Sequence, residues 1–254
     1  MISIKTPEEI AIMAEGGKIL STIMQKLKRM VRQGITTREL DRVAYDLVLK
    51  YGAKPSFLGH QGFPAALCTS INEEIVHGVP SQRKIKNGDI VSLDFGVYFK
   101  GFHADAAITL GVGKISKETK RLIETTKKAL DFGTKEAKPG KHFGDISFAI
   151  QKYVESQGFN VVKELCGHGI GRELHEDPQI LNFGRMGEGS EIKEGMVFCL
   201  EPMVTAGDWR IKRGKDGYSF KTADGSLSAH FEYTVAVKSR GCKILTLLDR
   251  ASLI

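Results

Sequence analysis

The strongest constraint on the fold is an internal repeat, because each half of the chain carries the same sequence pattern. Glycines bracket one helical segment at 34–52 and a second at 140–158, with the same spacing of 18 residues. Further along, NGDIVSLD, which ends at Asp94, is similar to EGMVFCLE, which ends at Glu201. Coincidence between common helix patterns is the alternative explanation. However, the offset between the two halves is the same within one residue for the helical segments and for the segments that end at Asp94 and Glu201.

Helix start signals mark two helices in the first half of the chain. Thr6 precedes a proline and two acids, which predicts a helix N-terminus, and Thr36 begins a capping box that predicts a second helix. We therefore expect a single α+β domain over residues 1–254, with pseudo-two-fold halves at about 1–110 and 111–254. Each half would contribute two helices and several strands to a curved antiparallel sheet, with the helices on one face.

Carboxylates stand at unusual places in the predicted strands. The segment LDFGVYFKGFHADAA is typical of a β-hairpin with a turn at 98–101, and it carries Asp94 and Asp105 near its ends. A carboxylate inside an apolar strand costs several kcal/mol unless something neutralises it. Glu232 begins a strand of its own, and the repeat adds Glu201. These acids would repel one another if they gathered without a counter-charge.

A histidine completes this set. The stretch CGHGIGRELHEDP places His168 between two glycines, where the backbone can approach a site closely. Four carboxylates with one imidazole are too rich in oxygen for a structural zinc site, and they suit two divalent ions such as Co, Mn, Fe(II) or Zn. Two ions held by shared acids are an arrangement that activates water for hydrolysis. An exposed charge explains any single acid equally well, so the joint pattern carries the prediction.

Composition excludes several other classes of protein. No apolar run approaches the roughly 20 residues of a membrane span, and the N-terminus lacks the pattern of a secretory signal. The 4 cysteines lie far apart without a CxxC pair, which favours a reducing, cytoplasmic environment over a disulfide framework. The net charge of +7 comes from scattered lysines and arginines, which we interpret as solvated surface rather than a nucleic-acid groove.

In this order and spacing, the five candidate ligands resemble those of the methionine aminopeptidase family, whose pita-bread fold is shared by aminopeptidase P, prolidase and creatinase. The resemblance covers nearly the whole chain and rests on INEEIVHGVP, LDFGVYFKGFHADAA, GHGIGRELHEDP and CLEPM. The short spacing from His168 to Glu201 and the lack of an N-terminal extension are similar to the bacterial type I members. The resemblance implies removal of the initiator methionine from nascent chains whose second residue is small.

The resemblance also implies a role for each ligand. Asp94 would bind one metal ion, and His168 and Glu201 would bind the other. Asp105 and Glu232 would bridge the two ions. A water or hydroxide between them would attack the first peptide carbonyl, with Glu201 as the proton shuttle.

Two histidines are similar to residues that contact the reacting peptide in this family. His77 would contact the scissile peptide bond, and His175 would stabilise the developing oxyanion. The methionine side chain would enter an apolar pocket, whose predicted lining comprises His60, Phe63, Cys68, His77, Leu174, His175 and Trp209. His60 and Leu174 depart from the aromatic residues common at those positions in the family, which leaves the breadth of substrates open.

Further expectations concern partners. Asn72 and Ser228 resemble a monovalent-cation site of the family. The substrate would be the N-terminus of a nascent polypeptide, and the basic surface could support transient association with the ribosome. We expect a monomer that does not bind membranes.

Two other functions stay open at this point. A pita-bread protein can act as a non-catalytic RNA or ribosome binder when its ligands are lost, but all five ligand types are present here. A peptidase for X-Pro peptides or proline dipeptides would share the metal centre, and only the pocket and the missing N-terminal domain favour methionine over these substrates.

Overall fold

The helices begin where the sequence places N-terminal caps. The computed structural model describes residues 2–247, and its helices are α1 (Pro7–Met30), α2 (Thr37–Lys50), α3 (Lys117–Glu136) and α4 (Phe143–Ser156). Thr6 Oγ1 accepts a hydrogen bond from Glu9 N, and Glu9 Oε2 accepts one from Thr6 N, which is the capping box that satisfies two otherwise unpaired amides. Thr36 and Glu39 repeat this arrangement at α2. Within the described residues, none of the helices combines the length and apolar character of a membrane span.

The strands are short apart from one hairpin. In chain order they are β1 (Lys54–Pro55), β2 (Leu67–Ile71), β3 (Glu74–Val76), β4 (Ile90–Phe99), β5 (Phe102–Gly111), β6 (Asn160–Val161), β7 (Cys166–Gly169), β8 (Glu176–Leu181), β9 (Val197–Leu200), β10 (Met203–Thr205), β11 (Ile211–Arg213), β12 (Phe220–Thr222), β13 (Ser228–His230), β14 (Tyr233–Lys238) and β15 (Gly241–Ile244). A short 3₁₀ turn lies at His60–Gly62. The described strand pairs are antiparallel, so the α+β class with antiparallel sheet is confirmed.

Two sheets form the centre of the molecule. Strand β4 pairs with β1, β2 and β5, and a five-stranded sheet has the order β15-β14-β9-β7-β8. Glu232 N donates to Ala107 O at 2.9 Å, and Thr234 Oγ1 bonds both the N and O atoms of Asp105. The expected continuous sheet is therefore divided into two ladders, which meet beside the acidic residues. Smaller three-stranded sheets, β13-β10-β6 and β11-β12-β3, flank this junction.

The hairpin turn lies one residue further along the chain than predicted. Strand β4 continues to Phe99, and the two connecting residues, Lys100 and Gly101, have φ values of 47° and 91°. Positive φ at both positions is typical of the tight turns that match the twist of paired strands. The resulting register places Gly96 opposite Asp105 and Asp94 opposite Ala107. Since 94 and 96 share one face of β4, both aspartates point to the same side of the hairpin.

The helices cover the opposite face of this hairpin. Leu93, Phe95 and Val97 are fully buried in the main hydrophobic core, together with apolar residues of α1 to α4. Each buried side chain of this size contributes about 1.5–3 kcal/mol through loss of water contact. The alternation of β4 therefore puts its large apolar residues under the helices and leaves Asp94 on the other face, where the cavity described below opens.

Candidate metal centre

Four carboxylates and one imidazole converge on a single cavity of about 700 Å³. Asp94 and Asp105 come from the β4–β5 hairpin, Glu232 lies between β13 and β14, Glu201 directly follows β9, and His168 lies in β7. Carboxylate oxygens of Asp94, Asp105 and Glu232 lie within 4.8 Å of one another. Glu201 Oε1 lies 3.5 Å from His168 Nε2. The structure thus brings together all five residues that the sequence suggested as metal ligands.

These acids lack the partners that buried charges need. Asp94 Oδ1, Asp105 Oδ1 and Glu232 Oε1 are buried without a hydrogen-bond partner. The ion pairs described for this cluster involve only imidazoles, because Glu201 contacts His168 and a further histidine, and no lysine or arginine within residues 2–247 pairs with the four acids. Buried polar atoms without partners are rare in folded proteins and call for an explanation. A divalent cation supplies the missing positive charge and accepts these oxygens as ligands, so the donor set fits a metal centre.

The electrostatics describe the same crowding. Burial raises the pKa of Asp94 to about 6. Burial and the neighbouring charges of Glu232 and Asp94 raise the pKa of Asp105 well above its ordinary value. Burial, and to a smaller extent the charge of Asp94, raises the pKa of Glu201 well above its ordinary value. Burial and the charges of Glu201 and Asp94 raise the pKa of Glu232 in the same way. These are the shifts expected of carboxylates that share one buried site.

His168 has the opposite shift. Burial lowers its pKa to about 3, so the imidazole is neutral near pH 7 and its Nε2 lone pair is available to a metal ion. The Nδ1 atom lies 2.9 Å from Gly169 O. If Nδ1 carries the proton, its N–H donates a hydrogen bond to that carbonyl, and the unprotonated Nε2 faces Glu201. A metal ligand requires this tautomer.

Two residues beside the centre were not found from the sequence. Cys199 is fully buried, and its sulfur lies within 4.8 Å of ligand atoms of His168 and Glu232. His230 is 1% exposed, and its Nε2 lies 3.5 Å from Glu201 Oε2. Cys199 stands two residues before Glu201, and His230 stands two residues before Glu232. Residues two apart in an extended strand share a face, and this spacing is the signal that would have found both.

Both predicted reaction histidines, His77 and His175, lie on the cavity wall. The pKa values of His77 and His175 are both lowered to about 4, mainly by burial. Each is therefore neutral near pH 7 and carries one N–H that can donate to a substrate oxygen. The His175 ring lies 4.4 Å from the His168 ring, and its Nδ1 is 3.3 Å from His60 Nε2. His77 has a left-handed φ of 58° and packs its ring against Phe220.

Part of the cavity lining is apolar, and we call this part the recess. The predicted pocket residues that line it are His60, Phe63, Cys68, His77, Leu174 and His175. Phe63, Cys68 and Leu174 are buried and belong to one hydrophobic cluster. Burial also raises the pKa of the Cys68 thiol well above its ordinary value, so Cys68 contributes as a small neutral side chain. The recess therefore combines apolar walls with imidazoles, of which His175 lies beside His168.

Trp209 is not among the residues of this lining. Its ring lies instead between cations, with Lys163 Nζ 4.9 Å and the Arg210 guanidinium 5.2 Å from the ring centroid. Tyr218 lines the recess, with its ring edge-to-face against Phe63 at 5.6 Å and its hydroxyl donating to Gly62 O at 2.8 Å. Trp209 precedes β11, whereas Tyr218 lies between β11 and β12 and lines the cavity although the sequence did not suggest it. The place of Trp209 in the pocket stays a prediction.

The two residues proposed for a monovalent cation are neighbours. Ser228 N donates to Asn72 O at 2.9 Å. The Asn72 side chain is occupied elsewhere, because its amide donates to Asp89 Oδ1 and its oxygen accepts from Ile90 N. Any cation at this position would therefore use backbone carbonyls or the Ser228 hydroxyl.

Comparison with known proteins gives consistent matches. A model described as metallopeptidase family M24 matches residues 11–239. The methionine aminopeptidase of Clostridium perfringens is 50% identical over 248 residues, which are 98% of this chain and 100% of that protein. Methionine aminopeptidase 1 of Bacillus subtilis is 47% identical, covering 97% and 99% of the two chains. The crystal structure of methionine aminopeptidase from Rickettsia prowazekii has a TM-score of 0.96 and 40% identity, covering 97% of this chain and 100% of that one.

Proposed function

Because the chain belongs to metallopeptidase family M24, we propose that it is a metal-dependent aminopeptidase that removes the N-terminal methionine from polypeptides. The pita-bread fold expected from the sequence is confirmed by the close similarity to solved methionine aminopeptidases. One structural observation carries the proposal. Buried oxygens of Asp94, Asp105 and Glu232 point into a shared cavity without partners, beside a neutral His168.

We assign the metal-binding roles as follows. Asp94 would be a ligand of one divalent ion, His168 and Glu201 would be ligands of the other, and Asp105 and Glu232 would be shared by both. Glu232 oxygens lie within 4.8 Å of ligand atoms of Asp94 and Asp105 and, in a second group, of His168, which supports the shared role of Glu232. The bound ions supply Lewis acidity that activates water for hydrolysis, and Co, Mn, Fe(II) and Zn all suit such a donor set.

Glu201 is the proposed proton shuttle. Its pKa is raised by burial and by the charge of Asp94, which makes the carboxylate a better proton acceptor than an exposed glutamate. It can take a proton from the attacking water and deliver it to the leaving amine. The carboxylate lies at the cavity wall, where both groups can reach it.

His175 and His77 are the proposed hydrogen-bond donors. Both are neutral near pH 7, both line the cavity, and each can direct an N–H toward the peptide that is cleaved. His175 would stabilise the negative charge that grows on the carbonyl oxygen, and His77 would hold the scissile peptide. Donors fixed before the reaction stabilise the transition state without reorganisation.

The recess beside the metal centre suits a methionine side chain. Phe63, Tyr218, Cys68 and Leu174 give it aromatic and aliphatic walls. Thioether sulfur makes favourable contacts with aromatic rings, which would add to the burial of the methylene groups. We propose that the residue after methionine is small.

Peptide cleavage tests this function directly. Protein loaded in turn with Co, Mn, Fe(II) or Zn should cleave Met-Ala-Ser faster than Ala-Pro-Ala, with bound metal counted in each sample. Faster cleavage of Ala-Pro-Ala would replace the methionine assignment with an X-Pro peptidase. A reconstituted sample that binds no divalent ion and cleaves neither peptide would favour a non-catalytic binding protein.

We also propose that the protein acts in the cytoplasm as a monomer, on nascent chains close to the ribosome. The net charge of +7 supports attraction to ribosomal RNA. A monovalent cation near Asn72 and Ser228 remains part of the proposal. Co-sedimentation with ribosomes at low and high salt tests the association, because an electrostatic contact should weaken as salt rises.

A further inference from the structure

We propose that His230 is a positioning residue that holds the Glu201 carboxylate in place on the side opposite His168. The two oxygens of Glu201 face different imidazoles. Oε1 lies 3.5 Å from His168 Nε2, and Oε2 lies 3.5 Å from His230 Nε2. His168 is the proposed metal ligand, so His230 is left to fix the other edge of the same carboxylate. This inference rests on the proposed two-metal function and adds a residue to it.

The backbone holds His230 firmly in this position. His230 N donates to Thr109 Oγ1, and the same hydroxyl donates to His230 O, both at 2.8 Å. His230 also pairs with Met203 in the ladder between β10 and β13. These bonds connect it to β5, the strand that carries Asp105, and to the segment that directly follows Glu201. The backbone of His230 is therefore fixed relative to ligands from both halves of the chain, and its ring extends from this fixed point to Glu201.

Burial decides what this ring can do. His230 is 1% exposed and does not belong to the residues that line the cavity, so substrate cannot reach it. It contacts Glu201, which does line the cavity, and it acts through that residue. The role that fits is positioning of a ligand rather than participation in the chemistry.

The hydrogen-bonding state of the ring supports the same role. Neither Nδ1 nor Nε2 of His230 has a hydrogen-bond partner within normal distance. A neutral imidazole always carries one N–H, and leaving such a donor buried and unpaired costs about 1–3 kcal/mol. Glu201 Oε2 is the acceptor that faces Nε2, and a slight rotation of the carboxylate brings it into hydrogen-bond range. A proton on Nε2 would then be donated to Glu201.

A donor behind a ligating carboxylate has a measurable effect. Groups that orient a metal ligand through a hydrogen bond typically change metal affinity or activity roughly 10–100-fold when they are removed. Two substitutions separate the hydrogen bond from the volume of the ring. His230→Met fills similar space without a donor, and His230→Gln keeps an N–H that can reach Glu201.

Cobalt titration of the full chain distinguishes the outcomes. We expect the wild-type protein to bind two Co(II) ions, followed by visible absorption and calorimetry. In His230→Met, one of the two ions should bind roughly 10–100-fold more weakly, with an altered absorption spectrum, whereas His230→Gln should stay close to the wild type. Unchanged affinity and spectrum in His230→Met would overturn the inference about His230 and leave the proposed function intact. A wild-type protein that binds no Co(II) would instead overturn the proposed function.

A second measurement needs no variant at residue 230. With ¹⁵N-labelled histidine, the metal-free and zinc-loaded wild-type proteins should show a slowly exchanging Nε2–H for His230. This signal should shift in Glu201→Gln, because the acceptor changes from a carboxylate to an amide. A His230 ring with its proton on Nδ1 and a bare Nε2 would contradict the proposal, whether or not His230→Met folds.

Discussion

Neighbouring residues of strand β4 face two very different environments. Phe95 is completely buried under the helices, in a core of aliphatic and aromatic side chains. Asp94 is 8% exposed on the other face, and one of its oxygens has no hydrogen-bond partner. One face of the hairpin therefore stabilises the fold by burying apolar side chains. The other face carries carboxylates whose repulsion and burial destabilise the fold unless a cation is bound.

Strand β5 shows the same contrast. Ala104 and Ala106 pack into the main core, and Asp105 between them points to the acidic cavity. A stability requirement alone would not place a carboxylate between two alanines in a paired strand, since an apolar residue would fit there at lower cost. The helix-covered face of the hairpin therefore maintains the fold, and the cavity face carries the residues of the proposed metal centre. Substitutions on the two faces should therefore have separable effects.

The largest expected effect comes from the cavity face. Asp94→Ala removes a proposed metal ligand and should lower kcat/KM for a methionyl peptide by about 10³-fold or more, because metal activation is worth several kcal/mol. Circular dichroism should show that the variant is folded. Turnover near the wild-type rate would show that Asp94 is not a ligand.

The matched change on the core face is Phe95→Ala. Loss of a fully buried phenylalanine should reduce the free energy of unfolding by about 3–5 kcal/mol, measured in urea. Activity per folded molecule at low temperature should stay close to the wild type, since Phe95 does not line the cavity. A large loss of activity without loss of stability would break the separation between the two faces.

A third substitution should stabilise the metal-free protein although it removes a proposed metal ligand. The pKa of Asp94 is raised to about 6 in the fold, which means that the fold favours the protonated carboxyl over the ionised one. The wild-type protein therefore keeps its full stability below about pH 4 and loses the contribution of Asp94 as pH rises through 6. Metal-free Asp94→Asn should therefore be more stable than the wild type at pH 8, by about 1–3 kcal/mol, with little difference at pH 4. Denaturation of both metal-free proteins across this range measures the gain, and a loss at pH 8 would contradict it.

The smallest effect concerns the pocket. Tyr218→Ala removes an aromatic wall of the recess and should raise KM for methionyl peptides about tenfold, in line with the 1–3 kcal/mol typical of apolar pocket contacts. Trp209→Ala is the control, because its ring lies between Lys163 and Arg210 outside the lining. Peptide kinetics on both variants would overturn this assignment if only Trp209→Ala raised KM.

Local signals made most of the fold predictable. The caps at Thr6 and Thr36 depend on residues three positions apart, and the sequence shows them directly. The hairpin follows from alternation, but its turn was placed one residue early, because strand pairing to Phe99 fixes the loop at Lys100 and Gly101. The pseudo-two-fold repeat remains a prediction, and residues 1 and 248–254 of the predicted domain lie outside the described residues.

The pocket was less predictable, because loops lack periodicity. Asp216 accepts hydrogen bonds from the backbone N atoms of Tyr218 and Ser219, which folds the loop and directs Tyr218 toward the recess. Nothing in a helix or strand pattern ranks Tyr218 above Trp209. His230 was missed for a different reason: its spacing from Glu232 places it beside the centre, but its contact with Glu201 joins residues that are distant in sequence.

Metal titration of the metal-free wild-type protein tests whether divalent cations balance the acids of the cavity. At pH 6 the raised carboxylate pKa values leave the acids partly protonated, so calorimetry in two buffers of different ionisation enthalpy should show proton release on binding. We expect two divalent ions to bind per chain, with fewer protons released and tighter binding as pH rises. A protein that binds no divalent ion, or binds without releasing protons at pH 6, would contradict the idea that cations balance these gathered acids.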